Sequence, residues 1–94
     1  MIVAACTLKL QLSAPRSLKE KRRIVKSLTT RLGQEFNIAI AEIDHHDVWQ
    51  TAALGLVSVG TDAGYLHSQM ERAVDWIRRT RPDLYLEEVR FELR

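Results

Sequence analysis

The chain has few of the residues that form disulfide bonds or interrupt helices and strands. Its 94 residues include one cysteine, two prolines and four glycines, and 6% are aromatic. A single cysteine excludes an internal disulfide and is typical of a reducing compartment. No apolar run approaches the roughly 20 residues of a membrane-spanning helix, and residues 1–6 alternate like a strand without a basic leader. We therefore predict one cytoplasmic domain, residues 1–94, with no membrane partner.

Alternation and capping signals predict the first strand and the first helix. Over residues 2–12, apolar side chains recur at every second position, which is the period of a strand with one buried face. Ser17 is followed three residues later by Glu20, a capping-box pattern that marks a helix start. The helix is predicted over residues 18–34, with Gly33 as its stop signal.

The rest of the chain predicts a hairpin, a second helix and a last strand. Residues 37–43 and 51–59 are rich in strand formers, and the short polar connector between them predicts an antiparallel hairpin. A helix is predicted over residues 63–80, and a strand over residues 85–93. In this last strand, the side chains predicted to face inward are Val89, Phe91 and Leu93.

The predicted order of elements is β-α-β-β-α-β, which indicates an α+β fold. In about ninety residues this order is typical of a ferredoxin-like sandwich, a four-stranded antiparallel sheet with two helices on one face. Right-handed crossovers place the first and third strands at the centre of the sheet. The open face of the sheet is then expected to carry Thr7, Lys9, Arg90 and Glu92. The fold by itself assigns no function.

Several chemistries known on this fold lack their residues here. Metal transfer needs paired cysteines, whereas Cys6 stands alone on the apolar face of a strand and is expected to be a small buried hydrophobe. Recognition of RNA by the sheet needs outward aromatic side chains on the central strands, and the first strand has none. Acylphosphatase chemistry needs an arginine in a glycine-rich loop, but Arg16 follows residues 13–15, which include no glycine. We assign no catalytic residue, cofactor or metal.

The strongest candidate site is a stripe of positive charge on the first helix. Residues 16–31 hold seven cations and one carboxylate, a charge of +6 in a chain whose net charge is +2. The outward arc of the helix contains Lys19, Arg22, Arg23 and Lys26, with Arg16 and Arg31 at its ends. Like charges on one helix face repel, and an anionic partner relieves that repulsion. We expect RNA or a ribosomal subunit to bind here through phosphates. A merely solubilising face, an anionic lipid or a small phosphorylated ligand are the alternatives.

One lysine of the same helix falls outside the stripe. At 100° per residue, Lys21 lies inside the apolar arc. We expect its stem to pack on the core and its ammonium to reach water.

The connector of the predicted hairpin is a second candidate site. Asp44, His45, His46 and Asp47 are all residue types that bind metals. Adjacent histidines on an extended segment point in opposite directions, so we expect a polar turn facing solvent. A metal site or an acid–base pair that also uses Glu42 is the weaker alternative.

Trp49 is the large aromatic residue next to this connector. We expect it to fold over the edge of the core or, with Asp47 and Gln50, to contact a partner or a second subunit. Self-association through the open sheet face or an edge strand, as a homodimer with no nucleic-acid role, is thus the main alternative to RNA binding.

Three segments resemble one known family. They are residues 17–28, residues 41–44 with 47–50, and residues 53–55. Together they resemble the YlxP-like family of small bacterial proteins, which has no established function or catalytic residues. The resemblance implies a ferredoxin-like fold. It also implies a translation-related role, because genes of this family often lie beside those for translation initiation and ribosome-maturation factors.

Overall fold

The computed structural model describes all 94 residues, Met1–Arg94. The elements are β1 (Ile2–Leu12), α1 (Leu18–Glu35), β2 (Ala39–Asp44), β3 (Thr51–Gly60), α2 (Ala63–Thr80) and β4 (Leu84–Leu93). All strand pairs are antiparallel, and the strands lie in the order β2-β3-β1-β4. The predicted ferredoxin-like α+β fold, with the first and third strands central, is confirmed. Neither helix has the length and apolar character needed to cross a membrane.

The core lies between the two helices and one face of the central strands. Every second residue of β1 from Ala4 to Leu12 is buried, as the alternation predicts. The buried side chains that α1 and α2 contribute to this core are Val25, Leu28, Leu32, Leu66, Met70, Ala73, Val74 and Ile77. Burying one leucine or isoleucine stabilises the fold by roughly 1.5–3 kcal/mol, so this layer holds the helices on the sheet.

The start of α1 follows its predicted cap, but its end does not. The Ser17 hydroxyl accepts a hydrogen bond from the Glu20 backbone N–H at 3.2 Å. The stop predicted at Gly33 is wrong, because the helix continues to Glu35. There the Leu32 carbonyl accepts from the Phe36 N–H at 2.9 Å, and Phe36 packs against the core.

Strand β4 is less covered than its alternation predicts. Val89 and Leu93 face the helices, since they pair with Leu8 and Ala4, yet they are 43% and 47% exposed. Phe91 is half-buried against the core. The predicted inward orientation of all three side chains is confirmed, but Val89 and Leu93 stay partly exposed because β4 is an edge strand.

Candidate functional site

Four cations form the stripe on the outer side of α1. Lys19, Arg22, Arg23 and Lys26 are all exposed, and none of them lies within 4.0 Å of a carboxylate in an ion pair. They lie opposite the buried residues of the same helix, so their side chains point away from the sheet. At 1.5 Å per residue the four span roughly 10 Å along the helix. We call these four residues the α1 stripe.

The two arginines predicted at the ends of the stripe have other surroundings. Arg16 is exposed just before the helix, where its backbone N–H donates to the Glu20 carboxylate at 2.6 Å. The Arg31 guanidinium lies over the Trp76 ring of α2, 5.1 Å from its centroid, in a cation–π contact. Arg31 therefore lies on the flank of α1 that faces α2. The structure brings together four of the six predicted cations and leaves two at the periphery.

Lys21 is buried within the protein, so the prediction that its ammonium reaches water is wrong. Its side chain is completely inaccessible, and Nζ lies 2.8 Å from Glu42 Oε2 and donates to the His45 carbonyl. Oε2 is itself buried and has no donor other than this ammonium. A charge in the apolar arc of α1 requires a compensating charge, because an unpaired buried ion is strongly destabilising.

The Lys21 contacts connect α1 to the turn between β2 and β3. His45 has a φ of 62°, in the left-handed region that residues other than glycine rarely adopt. Its N–H donates to Asp44 Oδ1 at 2.8 Å, and its carbonyl accepts from the Val48 N–H at 3.1 Å as well as from Lys21. Sequence reasoning missed this link. The only signal for it was a lysine in an apolar arc together with a carboxylate on a half-buried strand.

The polar connector does not gather a set of metal ligands. His46 Nε2 lies 3.1 Å from the Glu42 carbonyl oxygen, while His45 Nε2 lies 4.0 Å from Asp44 Oδ2. The Glu42 carboxylate is directed at Lys21. The structure shows no group of three or more histidine, cysteine, aspartate or glutamate side chains able to hold a metal ion.

Trp49 lies at the surface beside this connector. It is 42% exposed and does not belong to the core or its packed rim. The expectation that it covers the edge of the core is therefore wrong. Asp47 and Gln50 are exposed as well, so all three residues predicted as a partner contact are accessible.

The open face of the sheet combines a charged border with apolar side chains. Thr7, Arg90 and Glu92 are exposed as predicted, and Lys9 is half-buried. On the β2–β3 side, Ile43 lies across Gly55, and a Cβ at Gly55 would come within 3.0 Å of it. Glycine thus allows Ile43 to lie flat on this face, where it stays about half exposed.

A cavity of about 280 Å³ opens between α2 and β4. Its apolar lining includes Cys6, Met70, Val89 and Phe91. The His67 ring packs against Phe91 with the ring planes tilted by 47° and the centroids 4.4 Å apart. Burial raises the pKa of the Cys6 thiol. Because the thiolate is the reactive form, Cys6 is a poor nucleophile, as expected for a buried hydrophobe.

Sequence comparisons relate the chain to proteins without a known function. The family described as "Protein of unknown function (DUF503)" matches residues 3–91. The "Uncharacterized protein YlxP" of Bacillus subtilis (strain 168) is 34% identical over 61 residues, which cover 65% of this chain and 66% of that relative. The matched part is thus slightly less than two thirds of the relative's length.

Solved structures share the fold at low sequence identity. A putative antibiotic biosynthesis monooxygenase from Deinococcus radiodurans aligns with a TM-score of 0.55 and 14% identity, over 100% of this chain and 90% of that one. The de novo designed protein Foldit4 aligns with a TM-score of 0.52 and 14% identity, over 99% and 94%. Similarity at this identity shows the fold alone.

Proposed function

The chain belongs to the DUF503 family of proteins of unknown function, and from its surface we propose that it is a non-enzymatic, cytoplasmic accessory protein. Its partner is structured RNA, including the RNA of a ribosomal subunit. The observation that carries this proposal is the α1 stripe, four exposed cations with no ion-pair partner in the molecule.

The electrostatics of the stripe support a polyanionic partner. Four like charges within roughly 10 Å repel one another, and only Glu20 lies among them. Glu20 is already engaged at the helix cap. A row of phosphates relieves the repulsion and releases the counterions of the nucleic acid, which is the main source of non-specific affinity.

The composition of the site favours contact with phosphates over reading of bases. The stripe contains no aromatic side chain on which a base could stack, and the outward side chains of β1 contain none either. Phosphate contacts position a protein on a nucleic acid without reading its sequence. We therefore expect the protein to distinguish RNAs by shape and charge density.

The experiment that tests this proposal compares two charge reversals of equal size. R22E/R23E changes the α1 stripe, whereas R72E/R79E changes two exposed arginines of α2 that also lie outside ion pairs. We expect R22E/R23E to weaken binding of a hairpin RNA roughly tenfold or more at moderate salt. The α2 variant should retain most of the affinity. Equal losses, or no loss from R22E/R23E, would contradict the proposed site.

Self-association is a second candidate function, favoured by a different observation. Trp49 and the two β4 residues Val89 and Leu93 are each more than 40% exposed, although large apolar side chains are stabilised by burial. Static light scattering on the purified protein tests this candidate, because a homodimer has twice the chain mass of 10.8 kDa. RNA binding and self-association involve different surfaces and do not depend on each other.

A further inference from the structure

We infer that β4 pairs with β4 of a second copy of this chain, antiparallel and centred on Phe91. The pairing joins two four-stranded sheets into one continuous eight-stranded sheet. This inference specifies the second candidate function by naming the surface and its register.

The backbone of β4 has a free hydrogen-bonding edge. Only β1 pairs with it, and Val3 and Arg94 exchange two backbone hydrogen bonds of 2.9 and 2.7 Å. In an antiparallel ladder, the backbone N–H and C=O groups of successive residues point alternately toward the two neighbouring strands. Since Arg94 faces β1, the backbone N–H and C=O groups that point outward are those of Val89, Phe91 and Leu93.

A two-fold axis at Phe91 satisfies these outward groups. Phe91 then lies opposite Phe91 of the second copy, and Val89 lies opposite Leu93 of the second copy. Each of these three pairs exchanges two hydrogen bonds, about six in total. The side chains of all three residues lie on the helix side of the sheet, where Val89 and Leu93 are 43% and 47% exposed. Pairing therefore brings exposed apolar side chains together.

In the same register, side chains of opposite charge lie across from each other on the open face of the sheet. Arg90 lies opposite Glu92 of the second copy, and Glu88 lies opposite Arg94 of the second copy. Within one chain, Arg90 and Arg94 already contact Glu88 and Glu92 at 3.0 and 2.9 Å. Pairing thus extends two same-strand ion pairs into an alternating row across the interface. Opposite charges across a strand pair are stabilising.

Neighbouring registers lose this complementarity. A centre at Arg90 places Arg90 opposite itself and Glu88 opposite Glu92 of the second copy. A slip by one residue places apolar side chains opposite charged ones, because successive side chains lie on opposite faces. Charges on an edge strand ordinarily prevent such pairing. On β4, their order makes them favour one register.

The other edge of the sheet is less suited to pairing. Strand β2 has six residues against ten in β4, and its register shifts between Glu42 and Asp44. The cavity between α2 and β4 also opens beside Val89 and Phe91. A second copy on β4 therefore covers the part of the core that α2 leaves accessible.

A charge swap tests both the surface and the register. R90E and E92R, each alone, place like charges opposite each other twice per dimer, and we expect either to raise the dimer dissociation constant roughly tenfold. The double variant R90E/E92R restores opposite charges and should restore wild-type dimerisation. Analytical ultracentrifugation over a concentration series measures all four proteins.

A backbone variant and a matched control complete the test. V89P removes an outward N–H that β1 does not use, so it should abolish pairing and leave the fold intact by circular dichroism. W49A alters an exposed apolar side chain outside β4 and should leave the dimer unchanged. A wild-type dimer that resists V89P and both single swaps would overturn the β4 assignment, while self-association itself would stand. A monomer at every concentration would overturn both.

Discussion

Replacing Lys21 by methionine should destabilise the protein more than any surface change of similar size. The Lys21 side chain is fully buried, and that of Glu42 is 16% exposed. Removing one member of a buried ion pair costs about 3–5 kcal/mol, because the other charge stays behind without a partner. Glu42 keeps slight access to water, so we expect the lower value, about 3 kcal/mol. In a domain of this size, that lowers Tm by roughly 12–24 °C.

A double-mutant cycle separates the ion pair from the packing of the side chains. K21M and E42M each leave one buried charge, whereas K21M/E42M leaves none and keeps similar volume at both positions. We expect the double variant to lie within about 1 kcal/mol of the wild type, since well-packed apolar pairs often replace buried ion pairs without loss. The two substitutions are therefore expected to be strongly non-additive.

Urea denaturation at neutral pH, followed by circular dichroism, measures the four free energies of unfolding in the cycle. The control is K19M, which removes an exposed lysine of the same helix and should change stability by less than about 0.5 kcal/mol. A K21M variant as stable as K19M, or a double variant whose loss equals the sum of the single losses, would refute the buried ion pair.

Three further predictions concern other local features. Burial raises the pKa of the Cys6 thiol. A thiol reagent should therefore label Cys6 in the native protein far more slowly than in urea. Rapid labelling of the native protein would contradict this burial. Hydrogen bonds from Arg81 lower the pKa of Asp83, so their stabilisation is present above about pH 4 and is lost as the pH falls through the lowered value. D83N should therefore cost less than about 1 kcal/mol at pH 7, as for other exposed pairs, and this cost should shrink as the pH falls below about 4. Urea midpoints measured across this pH range test the prediction, and a cost that does not shrink in acid would contradict it. S17A should cost about 1 kcal/mol by removing the cap of the Glu20 N–H, and an unchanged urea midpoint would show that the cap contributes nothing.

The fold could be predicted from local sequence signals because each element carries its own pattern. The alternation of residues 2–12 matches β1, and the periodicity of residues 63–80 matches α2 at both ends. Gly33 misled the prediction of the end of α1, because the packing of Leu32 and Phe36 outweighs the weak preference of one glycine for a helix stop.

The surroundings of single side chains could be predicted less well, because they depend on distant residues. The helical arc places Lys21 toward the core, but its partner Glu42 follows 21 positions later on another element. Likewise, alternation shows which face of the sheet Val89 and Leu93 share, while only the strand order shows that they lie on an edge strand, where they stay partly exposed. The α1 stripe was predictable, since exposure of a polar helix face follows from the sequence of that helix alone.

The salt dependence of RNA binding tests the role of the α1 stripe most directly. If three or four of its cations contact phosphates, the slope of log affinity against log salt concentration should be roughly −2 to −4 for the wild type. The slope should be smaller in magnitude for R22E/R23E and unchanged for R72E/R79E. An affinity that does not vary with salt, or a slope that R22E/R23E leaves unchanged, would contradict phosphate binding by this helix.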